Sequence, residues 1–85
     1  MSAMNLMSEE RRSVPATSSR LRVPYLRAWR LYRLLTQEQV VAASGVSVAT
    51  IVRGEKGELV SALSAAKMAR ALGVTVEQLQ SEKPS

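Results

Sequence analysis

The 85-residue chain contains no cysteine, no histidine and no aspartate. Without cysteine it cannot form a disulfide or bind a metal through thiolates. Without histidine it lacks the commonest general base and the usual partner of a nucleophilic serine. Glutamate is the only acidic residue, and no two glutamates stand in a pattern typical of a catalytic pair. We therefore expect no enzyme, no metal site and no cofactor.

Long hydrophobic runs are missing as well. No apolar segment approaches the roughly 20 residues that span a bilayer, and residues 1–24 lack the apolar stretch of a secretory signal. We expect one small domain in the cytoplasm, with no membrane partner. The few aromatic residues are Tyr25, Trp29 and Tyr32, so the rest of the core must be aliphatic. Such a core suits closely packed helices.

Positive charge is concentrated at one end of the chain, whose formal net charge is +5. Residues 1–35 contain seven arginines against two glutamates, whereas residues 36–85 contain five basic and five acidic residues. A basic segment attached to a domain is typical of proteins that bind a polyanion such as DNA. A solvated segment that only improves solubility explains the same charge.

Residues 35–55 have the pattern of two short helices joined by a tight turn. Thr36 and Gln39 predict a capping box at the start of the first of these helices. Gly45 stands where the helix needs a left-handed residue to end. Ser47 is a second N-cap, and residues 48–53 follow as the second helix. This arrangement is typical of a helix-turn-helix motif, whose second helix enters the major groove of DNA.

The same residues carry a resemblance to a known family. The run Leu-Thr-Gln-Glu-Gln-Val-Val-Ala at 35–42 is followed by Gly-Val-Ser at 45–47, Thr-Ile at 50–51, and then Glu55 and Gly57. This order resembles the Cro/repressor type of helix-turn-helix regulator, the XRE family, and the similarity extends over about residues 26–79. The resemblance implies an all-α, five-helix domain that binds double-stranded DNA as a homodimer.

We predict three segments: a flexible basic N-terminal tail at 1–23, a helix-turn-helix domain at 24–80, and a C-terminal tail at 81–85. The predicted helices cover about 24–34, 37–43, 48–53 and 62–72, with a short fifth helix after Thr75 that reaches residue 79. Pro24 suits the first helical position. We expect Leu31 and Leu34 to contribute to the core.

The resemblance implies which side chains contact DNA. In the third helix these are Ser47, Val48, Ala49, Thr50 and Arg53. Val48 and Ala49 can contact only methyl groups, while Arg53 either bonds a guanine or holds a phosphate. Gln37 is expected at a phosphate or a base, and Lys56 at a phosphate.

The other predicted contacts come from arginines near the first helix. Arg20 and Arg22 either lie along phosphates, enter a minor groove or remain solvated. By resemblance, Arg30 forms a structural ion pair with Glu55 and also faces a phosphate.

Three features leave alternatives open. Gly54 stands where the family usually has a large apolar residue, so the third helix either ends at Arg53 or continues without that contact. Val52 either turns inward to replace the missing side chain or stays exposed. The apolar residues at 74, 76 and 79 form either a dimer contact or packing on the first helix. We expect a sequence-preferring regulator, a repressor; the alternative is a protein-interaction module such as an antitoxin-like partner of a toxin-like protein.

Overall fold

A computed structural model describes residues 19–85. In this range five helices surround one core, and two short strands pair beside them. The elements are β1 (Arg20–Arg22), α1 (Leu26–Tyr32), α2 (Gln37–Ser44), α3 (Val48–Glu55), β2 (Leu59–Ser61), α4 (Ala62–Leu72) and α5 (Val76–Ser81). No helix among the described residues has the length and apolar character that crossing a membrane requires. The prediction of a five-helix domain is confirmed.

Most helix starts follow from hydroxyl side chains that cap backbone N–H groups. Thr36 forms the predicted capping box with Gln39, and Thr75 forms a second capping box with Gln78. Ser47 begins α3, and Ser61 caps α4 by accepting a hydrogen bond from the backbone N–H of Ser64. These bonds satisfy N–H groups that have no partner inside the helix.

The start of α1 differs from the prediction. The Val23 carbonyl accepts a hydrogen bond from the Leu26 N–H at 2.9 Å. Pro24 is therefore the second residue of a tight turn, where its fixed φ is equally favourable, and not the first residue of a helix. Tyr25 N–H also donates to the Leu79 carbonyl at 2.9 Å. The turn thus attaches the beginning of α1 to the end of the domain.

The end of α1 also differs. Leu34 adopts φ +60°, and it is the only described residue besides glycine with a positive φ. The Leu34 N–H donates to the Leu31 carbonyl, and the Leu35 N–H donates to the Arg30 carbonyl. This is the helix ending in which glycine usually takes the left-handed position. The helix therefore stops at Tyr32, and the predicted core role of two leucines is wrong: Leu31 is 46% and Leu34 is 87% exposed.

A two-stranded antiparallel ribbon was missed by the sequence analysis. Arg20–Arg22 pairs with Leu59–Ser61, and Leu21 lies opposite Val60. The predicted tail extended to residue 23, and this is wrong for its last four residues because Val23 is fully buried. Residues 1–18 of that tail lie outside the described residues. Three residues give too short an alternation to reveal a strand, and its partner is about 40 residues away.

The core lies between α1, α2, α3, α4, α5 and the inner face of the ribbon. Its largest fully buried side chains are those of Val23, Leu26, Val40, Ile51, Val60, Met68 and Leu79. The Trp29 indole N–H donates to the carbonyls of Gln78 and Glu82. Together with the bond from Tyr25 to Leu79, this fixes α5 on α1. Leu79 therefore follows the second of the two alternatives, packing within the chain, while Val74 and Val76 contact the core and are half-buried.

Candidate nucleic-acid interface

Helices α2 and α3 meet through a short, tightly bonded turn. Gly45 adopts φ +76°, and the next residue, Val46, is buried at 5% exposure. The Ser44 hydroxyl donates to the Val40 carbonyl at 2.6 Å and accepts from the Val46 N–H at 3.1 Å. One serine thereby links the last turn of α2 to the connection. The relative orientation of α2 and α3 is set by these bonds and by the buried valine.

The N-terminal part of α3 presents an apolar outer surface. Val48 is 46% exposed and Ala49 is also exposed, whereas Ile51 is fully buried. The Ser47 hydroxyl accepts from the Thr50 N–H at 3.3 Å and donates to the Thr50 Oγ1 at 3.1 Å. The hydroxyl groups of Ser47 and Thr50, which are the two polar side chains predicted to contact DNA at this end, therefore already form a hydrogen bond with each other. Val52 is half-buried, between the two alternatives left open by the sequence.

The C-terminal part of α3 packs closely, through Gly54, on the start of α1, on Val23 just before it and on β2. This residue is buried, and α3 continues through it to Glu55. A Cβ at this position would lie 3.0 Å from Leu26 Cδ2, 3.1 Å from Val23 Cγ2 and 3.6 Å from Val60 Cγ1. No hole remains where the family's large side chain is missing, because residues of α1 and the ribbon fill it. The glycine permits this close approach.

Arg30 and Glu55 form the predicted ion pair in a nearly buried position. Arg30 Nε lies 2.5 Å from Glu55 Oε2, with side-chain exposures of 10% and 7%. Arg30 Nη1 donates to the Leu35 carbonyl at 2.8 Å. The Gln37 amide Nε2 donates to Glu55 Oε1 at 3.0 Å. The carboxylate thus connects α1, the start of α2 and the end of α3, which are the elements that must keep their positions if α3 is to reach a groove.

The contact between Gln37 and Glu55 was missed by the sequence analysis. The two residues are 18 positions apart, and no local pattern relates them. Gln37 remains half-buried at the N-terminus of α2, so its predicted DNA contact is still a prediction. For Arg30 a phosphate contact also stays a prediction, although three of its nitrogen atoms bond within the protein.

Four of the predicted basic contacts are exposed, namely those of Arg20, Arg22, Arg53 and Lys56. Arg22 Nη1 donates to the Gly57 carbonyl at 2.8 Å, in the loop that follows α3. This bond places one ribbon arginine beside the C-terminal end of α3, next to Lys56. No local sequence pattern indicates this contact, because the partners are 35 positions apart.

A compact domain in which a capped helix, a glycine turn and a second, partly exposed helix are fixed in this way defines the helix-turn-helix class of DNA-binding proteins. A model of the helix-turn-helix family matches residues 26–79. The chain belongs to this family, in its Cro/repressor (XRE) branch. DNA binding and the regulation of transcription are the activity of the class. Searches of curated proteins and of solved structures found no significant match.

Proposed function

We propose that the protein is a sequence-preferring transcriptional regulator that places α3 in the major groove and represses by occupying its site. The observation that carries this proposal is that α3 has two different sides. Its inner side, with Ile51 and Gly54, is buried in the core, and its outer side is exposed. A helix held in this way can present a fixed set of side chains to base edges. Arg53, exposed on the last turn of α3, is the one long polar side chain available there.

The phosphate contacts in this proposal come from elements on either side of α3. The N-terminus of α2 carries free N–H groups and the positive end of the helix dipole, which favour a phosphate. Gln37 lies at this end, and Arg20, Arg22 and Lys56 lie on the side of the ribbon and the following loop. Phosphate contacts fix the position of a protein on the duplex, while base contacts select the sequence.

We further propose a homodimer that binds two half-sites about one helical turn, ~34 Å, apart. Leu79 is fully buried within the chain, so its side chain does not contribute to the dimer contact. Sedimentation of the pure protein, free and with a duplex that carries both half-sites, measures the stoichiometry. Binding of a single protomer to the two-half-site duplex contradicts the dimer.

A second candidate function is the recognition of a protein partner. Leu31, Tyr32 and Leu34 are 46%, 52% and 87% exposed at the end of α1. The two leucines border a cleft of about 600 Å³ that also reaches Arg27 and Gln37. Apolar side chains grouped in this way favour a protein contact over a solvated surface. A stable heterocomplex on co-purification, together with no binding to DNA, would support this alternative.

Fluorescence anisotropy tests the main proposal. The pure protein is titrated into a labelled duplex from upstream of its own gene and into a scrambled duplex, at two salt concentrations. We expect tighter binding to the native duplex that persists at the higher salt. The Arg53→Ala variant should lower affinity for the native duplex by about 1–3 kcal/mol and leave the scrambled duplex little changed if Arg53 reads guanine. Equal, salt-sensitive binding to both duplexes contradicts the proposal.

The same titrations test the ribbon arginines. The Arg20→Ala/Arg22→Ala variant should weaken binding to both duplexes and reduce the slope of log K against log salt by up to about 2. A matched control, Lys67→Ala/Arg70→Ala, removes the same charge from exposed positions of α4 near the C-terminal end of α2. A slope that changes equally in both variants would show that only net charge matters.

A further inference from the structure

The outer surface at the start of α3 offers few free hydrogen-bonding groups. Val48 and Ala49 are exposed and apolar. The Ser47 hydroxyl is used twice, as acceptor from the Thr50 N–H and as donor to the Thr50 Oγ1. Thr50 itself is half-buried and has one oxygen lone pair engaged in this bond. Methyl groups therefore make up most of the surface that this end of the helix presents.

In the major groove, the only apolar group on a base edge is the 5-methyl group of a pyrimidine. A valine placed against a cytosine amino group or a purine edge would remove water from a polar atom and return no hydrogen bond, which is unfavourable. A valine placed against a methyl group buries apolar surface on both sides. The chemistry of this surface thus discriminates between bases by methyl contact.

We propose that Val48, with Ala49, recognises a 5-methylpyrimidine in each half-site. This inference rests on the proposed placement of α3 in the major groove and adds the chemical identity of the base that is read. Thymine and 5-methylcytosine both carry the methyl group, so either base can supply it. Arg53, near the other end of α3, is separated from this contact and reads its own base or phosphate independently.

The test begins with an in vitro selection from a randomised 20-base-pair duplex library. The most enriched duplex is then synthesised with each thymine replaced singly by deoxyuridine, which removes the methyl group and leaves the pairing edge unchanged. At one or more positions we expect affinity to fall about fourfold, the effect of burying one methyl group. Thymines outside the nuclease footprint serve as internal controls and should show no change.

Protein variants assign the contact to Val48. Val48→Ala should bind the thymine and uracil duplexes with nearly equal affinity at that position. Val48→Thr keeps the side-chain shape and one of the two methyl groups, so it should retain only part of the difference. Lys67→Ala, on the exposed face of α4, should retain the full difference. Because Val48 is exposed, neither Val48 variant should alter folding, which circular dichroism checks.

A further experiment with 5-methylcytosine distinguishes recognition of thymine from recognition of the methyl group on either pyrimidine. The critical thymine–adenine pair is replaced by cytosine–guanine and by 5-methylcytosine–guanine. Tighter binding to the methylated pair, lost in Val48→Ala, shows that the methyl group alone is read. If deoxyuridine lowers the affinity but 5-methylcytosine does not raise it above that of cytosine, the contact is restricted to thymine.

Three results decide against the inference. If deoxyuridine changes nothing at any position, the methyl contact is refuted while specific DNA binding stands. The same holds if Val48→Ala retains the full thymine preference. If the selection enriches no sequence, the proposed function fails, and this inference fails with it.

Discussion

Replacing Gly54 by alanine tests the close contact of α3 with Val23 and Leu26. Alanine is favoured over glycine inside a helix by about 1 kcal/mol. The new Cβ would, however, lie 3.0 Å from Leu26 Cδ2 and 3.1 Å from Val23 Cγ2, both on fully buried side chains. Overpacking of this kind costs about 1–3 kcal/mol. We expect Gly54→Ala to destabilise the domain by about 1 kcal/mol.

The assay is urea unfolding followed by far-ultraviolet circular dichroism and by the fluorescence of Trp29, the only tryptophan in the chain. For a domain of this size the midpoint should fall by roughly 0.5–1 M urea. Coincident transitions with the two probes justify a two-state analysis. Gly45→Ala is not a suitable control because its φ is +76°, so the comparison uses Ala49→Gly, an exposed position in the same helix.

A double-mutant cycle identifies the cause. In a Val23→Ala background the contact at 3.1 Å is absent, so Gly54→Ala should be less destabilising by about 1 kcal/mol than in the natural sequence. Gly54→Leu should displace β1 and increase hydrogen exchange at the Leu21 amide. If Gly54→Ala instead stabilises by the full helix-propensity value in both backgrounds, the close packing described here is wrong.

Two further predictions concern positions near the end of α1. Glu55→Ala should destabilise the domain by about 3 kcal/mol or more in urea unfolding, because it leaves the nearly buried Arg30 without its carboxylate partner. Adding Arg30→Met to the Glu55→Ala chain should recover part of the lost stability. Glu58→Ala, which removes an exposed carboxylate, is the control and should have little effect. Leu34→Gly should raise thermal stability by about 0.5–1 kcal/mol, because glycine adopts φ +60° without strain and little apolar contact is lost at 87% exposure. Leu34→Ala retains the strain, and an equal gain in that variant would contradict this explanation.

Several features of the fold were determined by the sequence within a few residues. Thr36, Ser47, Ser61 and Thr75 each cap a helix through a backbone N–H three positions later. Gly45 and Gly73 end helices because they can take a positive φ. These interactions depend on short spacings that can be read directly. The order of helices and the helix-turn-helix motif were predictable for this reason.

The candidate site was predictable in part. The exposed side chains of α3 and the pairing of Arg30 with Glu55 came from the family resemblance, which carries information about positions far apart in the chain. The contact of Gln37 with the Glu55 carboxylate was not predicted from the resemblance, because it depends on how α2 is oriented against α3.

Other features were decided only by the tertiary structure. The β1 strand exists because its partner, β2, is brought beside it by the intervening helices, and three residues carry no periodicity of their own. Gly54 departs from the family pattern in the sequence, yet in the fold it is the surface on which Val23, Leu26 and Val60 pack. Leu34 takes a glycine-like conformation because the bonds around it close the end of α1. Local sequence sets where most helices begin and end. Contacts between distant residues determine which segments pair as strands and which side chains are buried or exposed.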